Sequence, residues 1–209
     1  MANINPPNLF IVGTHKSGTT RLHNLLSLHP MIRSGRVKEP HYYTPLRYGS
    51  GLSNFDEYRG LYNVVDGAKY FLDSSPSYFY GGDAIIQQIE KNHGSSAKYL
   101  CIIREPVDRL SSYYHQMKII QPSKYTATLR EFFTESVRVK DQVDRDIPVY
   151  RGVREGEYVN YLSPWLSLPS NRFKLIFFED LKNNEAHLLE SVFNWLGLDS
   201  AISVTTTAS

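Results

Sequence analysis

The eight residues from Gly13 to Thr20, GTHKSGTT, combine side chains suited to holding an anion: two glycines, a lysine, a histidine and four hydroxyls. Glycines let the backbone turn tightly with its amides facing inward, and a helix that follows at once adds the partial positive charge of its N-terminus. Such a loop cradles a phosphate or a sulfate. A nucleotide triphosphatase loop reads G-x-x-x-x-G-K-[ST]. Gly13 and Gly18 keep that glycine spacing, but Thr19 stands where the lysine belongs and the lysine has moved to Lys16. From inside the turn, an ammonium at Lys16 reaches the bridging oxygen between a phosphate and a sulfate and neutralises charge that builds on the leaving phosphate. That chemistry is expected to require no metal.

A second segment, YLCIIREPVDRLSSYY (Tyr99 to Tyr114), reads as an apolar strand that ends in Arg104 and turns through Pro106 into a helix carrying Ser112. Ser112 lies about two turns into that helix, so a phosphate near the helix start takes a guanidinium contact from Arg104 and a hydroxyl contact from Ser112. Arg109, one turn from Ser112, is the alternative arginine for this task.

Together the two segments resemble the PAPS-dependent sulfotransferase family, in particular its heparan-sulfate and bacterial-type branch, over most of the chain. The resemblance implies 3'-phosphoadenosine 5'-phosphosulfate (PAPS) as sulfuryl donor and 3'-phosphoadenosine 5'-phosphate (PAP) as product. It implies that Lys16, Ser17, Gly18, Thr19 and Thr20 hold the 5'-phosphosulfate, with His15 counted in the same loop, and that Arg104 and Ser112 hold the 3'-phosphate. KEPHYY (Lys38 to Tyr43) is similar to the family segment that supplies a catalytic glutamate. The segment from Asp73 to Phe79, Asp-Ser-Ser-Pro-Ser-Tyr-Phe, is similar to the strand-end segment lining the acceptor groove, which makes Asp73, Ser74 and Tyr78 the expected substrate contacts. Two departures stand out. Many glycan-modifying relatives carry a second lysine where this chain has Ser74. Relatives also add a lysine- and glycine-containing loop over the 3'-phosphate after the last helix, whereas this sequence runs out in SVTTTAS, so either that lid is missing or another element closes the site.

Transfer requires a base beside the acceptor, because the attacking oxygen or nitrogen must lose a proton. Glu39 and His41 are the candidates, two residues apart and on one face if the segment is extended. The resemblance favours Glu39. His15 has no catalytic assignment, although its ring is able to donate to a sulfuryl oxygen. Asp73, which ends an apolar strand, imitates a magnesium-binding acid and is the best argument for a rival reading as a small-molecule kinase. A nucleotide-binding module without turnover is the other alternative. The acceptor is expected to be a small molecule or a glycan, to which the basic run Arg33, Arg36 and Lys38 offers an attraction.

These residues need a frame that brings three distant segments to one edge. NLFIV (Asn8 to Val12), KYFLD (Lys69 to Asp73), KYLCII (Lys98 to Ile103) and FKLIFF (Phe173 to Phe178) read as four buried strands. Thr19 to Leu28, Asp83 to Asn92, Val107 to Ile119, Glu157 to Leu168 and Glu185 to Leu196, closed by Gly197, read as helices. Apolar strands alternating with helices predict an α/β fold, P-loop-like, with a mainly parallel sheet and helices on both faces. Ligands on such sheets bind beyond the carboxyl ends of the strands, where the Gly13 loop falls. A length of 209 residues suits one domain spanning 1–209.

Composition sets outer limits. With 23 basic and 21 acidic side chains the formal charge is +2, which argues against nucleic acid as partner. The apolar runs are far short of the ~20 residues a membrane helix needs, and MANINPPN has no secretory core, so no membrane segment is expected. The single cysteine, Cys101, forms no internal disulfide and suits a reducing compartment, so the expected location is cytoplasmic, or else the soluble part of a Golgi-type enzyme. The polar tail Ser203 to Ser209 is expected to fray.

Overall fold

A computed structural model describes residues 6–62, 67–122, 127–142 and 148–201. Five strands form one sheet: β1 (Leu9–Gly13), β2 (Ile32–Ser34), β3 (Tyr70–Ser74), β4 (Lys98–Ile103) and β5 (Phe173–Phe177). Their order is β2-β3-β1-β4-β5, and every neighbouring pair is parallel. The expected "mainly parallel" sheet is therefore wholly parallel. Its fifth strand, β2, is the one the sequence did not reveal, since three residues are too few to show an apolar pattern.

Side chains alternate across a strand, and here the alternation divides the core in two. Leu9 and Ile11 of β1, with Leu100 and Ile102 of β4, pack beneath helices α1 (Thr19–Ser27) and α8 (Glu185–Leu196). Phe10 and Val12, with Tyr99 and Cys101, face the other way, into an aromatic layer that includes Trp165 and the isoleucines of the helix Gly82–His93. Both faces of the sheet are covered, as continuous apolar strands require.

In chain order the remaining helices are α2 (Phe55–Arg59), α3 (Gly82–His93), α4 (Pro106–Ile120), α5 (Leu129–Arg138), α6 (Val159–Leu166) and α7 (Phe178–Asn183). The predicted strand ending at Phe178 is one residue too long, because Phe178 begins α7. The predicted helix Glu157 to Leu168 shortens to α6. Of the helices not foreseen, α5 had a readable signal: Thr128 and Glu131 form a reciprocal capping box at its start. The tail Ser203 to Ser209 lies outside the described residues. No helix among the described residues is long and apolar enough to cross a membrane.

Candidate active site

The loop after β1 is held from below. Thr14 donates its backbone N–H to the Ile102 carbonyl at 2.7 Å, and its hydroxyl lies 2.6 Å from that of Ser17. Lys16 takes a left-handed φ of 64°, and it lines the cleft beyond the loop. Gly18, at φ 86°, caps α1 with no side-chain cap bond, and no acidic residue occupies the first turn, so the N-terminal amides of α1 stay available to an anion. A Cβ at Gly18 would sit 2.7 Å from the Phe178 ring, so glycine is required there by conformation and by space.

Beyond this loop lies a cleft of about 610 Å³ lined by His15, Lys16, Gly18, Thr19, Thr20, Glu39, Arg104 and Ser112 among others. Three segments far apart in sequence therefore meet at the carboxyl edge of the sheet. Arg104 leaves β4 with its guanidinium 4.7 Å from the Phe178 ring centre, and Tyr158 holds its backbone carbonyl with a 2.7 Å hydrogen bond. Its nearest acid, Asp108, is 3.7 Å away, and the Arg104 Nε is buried with no partner among the described residues. A buried donor left unpaired is costly, so this arginine is poised for an anion. Burial, then the charge of Arg104, push the Lys16 ammonium below its ordinary value, while Glu39 pulls it back up. The three charges thus converge on one place.

Glu39 is bonded to Lys38 Nζ at 2.5 Å and lies 3.4 Å from His41 Nε2. Burial by itself would raise the Glu39 carboxyl, but hydrogen bonds with His41 and Lys38 outweigh it and hold the group down at about 2. Lys38 also donates to Thr20 at 2.9 Å, tying this segment to the start of α1. His41 does not line the cleft. It has a φ of 53°, its Nδ1 lies 3.0 Å from the Ser77 hydroxyl, and it borders an adjoining hollow of about 550 Å³ with Thr44, Pro45, Tyr48, Ser50 and Arg151.

Other sequence expectations need correction. Asp73 is fully buried: its carboxylate accepts from Tyr58 at 2.7 Å, Ser75 at 2.7 Å and Tyr78 at 2.9 Å. Burial raises its carboxyl to about 6 against the pull of those three hydroxyls. Tyr78 is equally buried and spends its hydroxyl on Asp73, and buried Ser74 is paired with His23 Nδ1 at 2.7 Å. None of the three lines the cleft; each is buried with its polar atoms paired inside the protein. Ser17 also points inward, to Thr14, leaving its loop neighbours to meet a ligand. Arg109 is wholly buried, donating to the Gly152 carbonyl, and does not compete with Arg104.

The cleft also contains Asn24, Gln116 and Phe178, which the sequence reading passed over. Helical spacing was the available signal for two of them: Asn24 stands one turn beyond Thr20, and Gln116 one turn beyond Ser112.

A family model described as "Sulfotransferase domain" matches residues 6–208. The bifunctional heparan sulfate N-deacetylase/N-sulfotransferase 2 of Bos taurus is 26% identical over 219 residues, covering 96% of this chain and 23% of that protein. The heparan sulfate glucosamine 3-O-sulfotransferase 6 of Mus musculus is 29% identical over 200 residues, covering 94% of this chain and 54% of that protein. The chain thus spans about a quarter to about half the length of these curated relatives. Its fold is similar to the crystal structure of a sulfotransferase from Alicyclobacillus acidocaldarius, with a TM-score of 0.81 and 23% identity over 99% of this chain and 87% of that one. With the family match running over nearly the whole sequence, and the glycine loop and Arg104 meeting in one cleft, the chain belongs to the sulfotransferase domain family.

Proposed function

We propose that this chain moves a sulfuryl group from PAPS to a hydroxyl or amine on an acceptor, and that the acceptor is a glycan. The observation that carries the reading is the position of Glu39. It lines the anion cleft with Lys16 and Arg104, while its partner His41 borders the adjoining hollow. A carboxylate at that junction can take a proton from a group entering through the hollow.

The residues present fit the nucleotide. The open N-terminus of α1 and the loop amides would hold the 5'-phosphosulfate with Lys16, Thr19 and Thr20, and Arg104 with Ser112 would hold the 3'-phosphate. When bound, PAPS supplies a sulfur whose bond to the 5'-phosphate oxygen is ready to break. Lys16 balances the charge left on that oxygen. Glu39 is ionised throughout the neutral range but weakly basic while Lys38 and His41 hold it, so the acceptor must displace one of those contacts before Glu39 takes its proton. The named relatives are heparan sulfate enzymes, and Tyr48 and Arg151 give the hollow an aromatic and a cationic wall suited to a sugar.

The kinase alternative relied on Asp73 as a magnesium ligand, and that carboxylate is committed to three hydroxyls inside the protein. We therefore take transfer to be metal-independent and residues 1–209 to act as one unit, with the buried thiol of Cys101 suiting a cytoplasmic location. The test is transfer of radiolabelled sulfate from PAPS to desulfated heparan oligosaccharides in the presence of EDTA. Label in the sugar supports the reading. Phosphate transfer from ATP that requires magnesium, or tight PAP binding with no transfer to any acceptor offered, opposes it.

A further inference from the structure

Beside Lys16, the ring of His15 borders the same cleft, yet its Nδ1 turns away from it. That nitrogen lies 3.0 Å from Oε2 of Glu155, a residue 140 positions later in sequence. Glu155 is 1% exposed, and its other oxygen accepts from Arg47 at 2.8 Å. The Tyr80 ring stacks on His15 at 5.4 Å between centroids, and the Arg47 guanidinium sits 4.6 Å from the Tyr80 centroid on its way to Glu155. Burial disfavours the charged form of Glu155, but His15 and Arg47 outweigh burial and hold the carboxyl at about 2. Glu155 is therefore ionised whenever the protein is folded near neutral pH.

An ionised carboxylate only accepts hydrogen bonds, so Nδ1 of His15 must carry a proton. The ring is thereby fixed in orientation, with a proton on Nδ1. Nε2, across the ring from the buried carboxylate, has no partner among the described residues. A buried ionic triad is a weak source of stability, since apolar residues of the same volume serve as well. Its more specific consequence here is a single loop imidazole locked beside the transfer site.

We propose that His15 is a catalytic residue whose Nε2–H donates to a non-bridging sulfuryl oxygen during transfer, and that Glu155 and Arg47 are the residues that position it. This rests on the sulfuryl-transfer reading above. In the step, the acceptor oxygen or nitrogen forms its bond to sulfur, and the bond from sulfur to the 5'-phosphate oxygen breaks with its electron pair going to that oxygen. The acceptor proton passes to Glu39. His15 gives up no proton; it holds charge on the sulfuryl group while Lys16 holds it on the leaving oxygen. Because Nδ1–H is committed to Glu155, Nε2 donates only when the ring carries a second proton there, a form that the adjacent buried carboxylate favours. The charged and titratable groups around His15 include Glu155, Arg47 behind it, the Tyr80 phenol and the adjacent Lys16, with the buried Arg109 guanidinium beside the turn that carries Glu155.

The Glu155→Gln variant distinguishes positioning from bulk structure. Arg47 can only donate, so the oxygen of the introduced amide must face Arg47 and its nitrogen must face His15. Nδ1 then becomes the acceptor, and the neutral ring carries its proton on Nε2. The experiment measures kcat at saturating acceptor, with PAP affinity by calorimetry, for the wild type, Glu155→Gln, His15→Gln and His15→Ala. Expected are a roughly 100-fold loss of kcat in His15→Ala, the scale for removing one aligned donor, and partial rescue in His15→Gln. PAP affinity, which involves no sulfuryl group, should stay within about threefold of wild type, and Glu155→Gln, whose ring keeps its proton on Nε2, should retain about tenfold more kcat than His15→Ala. Wild-type kcat in His15→Ala, loss of PAP affinity in step with kcat, or a kcat in Glu155→Gln as low as that of His15→Ala with PAP affinity intact overturns the proposal. His15→Ala and His15→Gln keep the test decisive if Glu155→Gln fails to fold. A wild-type protein that turns over normally while these variants show no effect refutes only the role of His15; a wild type that transfers no sulfuryl group refutes the reading beneath it.

Discussion

Replacing Arg104 with alanine removes the arginine that the cleft presents to an anion without removing much that the empty protein uses. Its Nε has no partner among the described residues and its nearest acid is 3.7 Å away, so little is lost when no ligand is bound. The stacking on Phe178 is the main contact forfeited. A charge-assisted hydrogen bond is worth about 1.5–3 kcal/mol. At about 1.4 kcal/mol per decade that is roughly a 10- to 150-fold change in Kd. If Arg104 holds the 3'-phosphate, PAP should bind the wild type far more tightly than AMP does, and Arg104→Ala should weaken PAP by that factor while leaving AMP nearly unchanged. Calorimetric titration of both nucleotides into both proteins measures the four constants. Arg104→Lys should fall between, because an ammonium keeps the charge but not the forked geometry. Equal weakening of PAP and AMP would show that Arg104 acts on the 5' end or on overall potential, and an unchanged ratio would refute the assignment.

Lys16→Ala should lower turnover of PAPS by at least ~100-fold, the scale for a preorganised charge-stabilising group, with turnover of the wild type unaffected by EDTA; metal dependence in the rate would contradict it. Gly18→Ala should cost at least about 1–2 kcal/mol for the left-handed backbone, and its Cβ would in addition press on the Phe178 ring at 2.7 Å; an unchanged urea midpoint would refute the required fit. Burial pushes His23 and His93 down to about 4, so from about pH 6.5 downward the unfolded chain takes up protons that the folded chain refuses, and stability falls as pH drops toward 4. Asp73 opposes this, because a carboxyl raised to about 6 takes up its proton first in the folded state. Asp73→Asn should therefore steepen the acid loss seen in urea midpoints between about pH 7 and 4, and a uniform loss with no change of slope would contradict the assigned shifts.

The parts of the site that the sequence disclosed are those where local pattern and chemistry coincide. An apolar run, two glycines and a helix start leave one place for Lys16, and β4, which ends at Ile103, hands the chain to Arg104 just ahead of Pro106, so that Lys16 and Arg104 both line the cleft. Asp73, Ser74 and Tyr78 were misplaced because burial at a strand end depends on what folds over it. The pleat sends Asp73 to the tyrosines on one side and Ser74 to His23 of α1 on the other, and both are fully buried with what packs over the strand end as cover. No periodicity reports such a cover. Glu155 was invisible for a similar reason: its partner His15 is 140 residues away, and it sits in the short turn Arg154–Gly156 without any apolar pattern. Helices α2 and α7, of five and six residues, are too short to display a face.

The account turns on Glu39 as the base at the junction of cleft and hollow. The direct measurement is kcat of Glu39→Gln with PAPS and the true acceptor, alongside its affinity for PAP. The amide keeps shape and hydrogen bonding but cannot take the acceptor's proton, so PAP binding should persist while turnover falls roughly 100- to 10,000-fold, and His41→Ala should lose less. Near-normal turnover in Glu39→Gln with intact PAP binding would contradict the account and, if His41→Ala lost activity instead, would hand the role to His41.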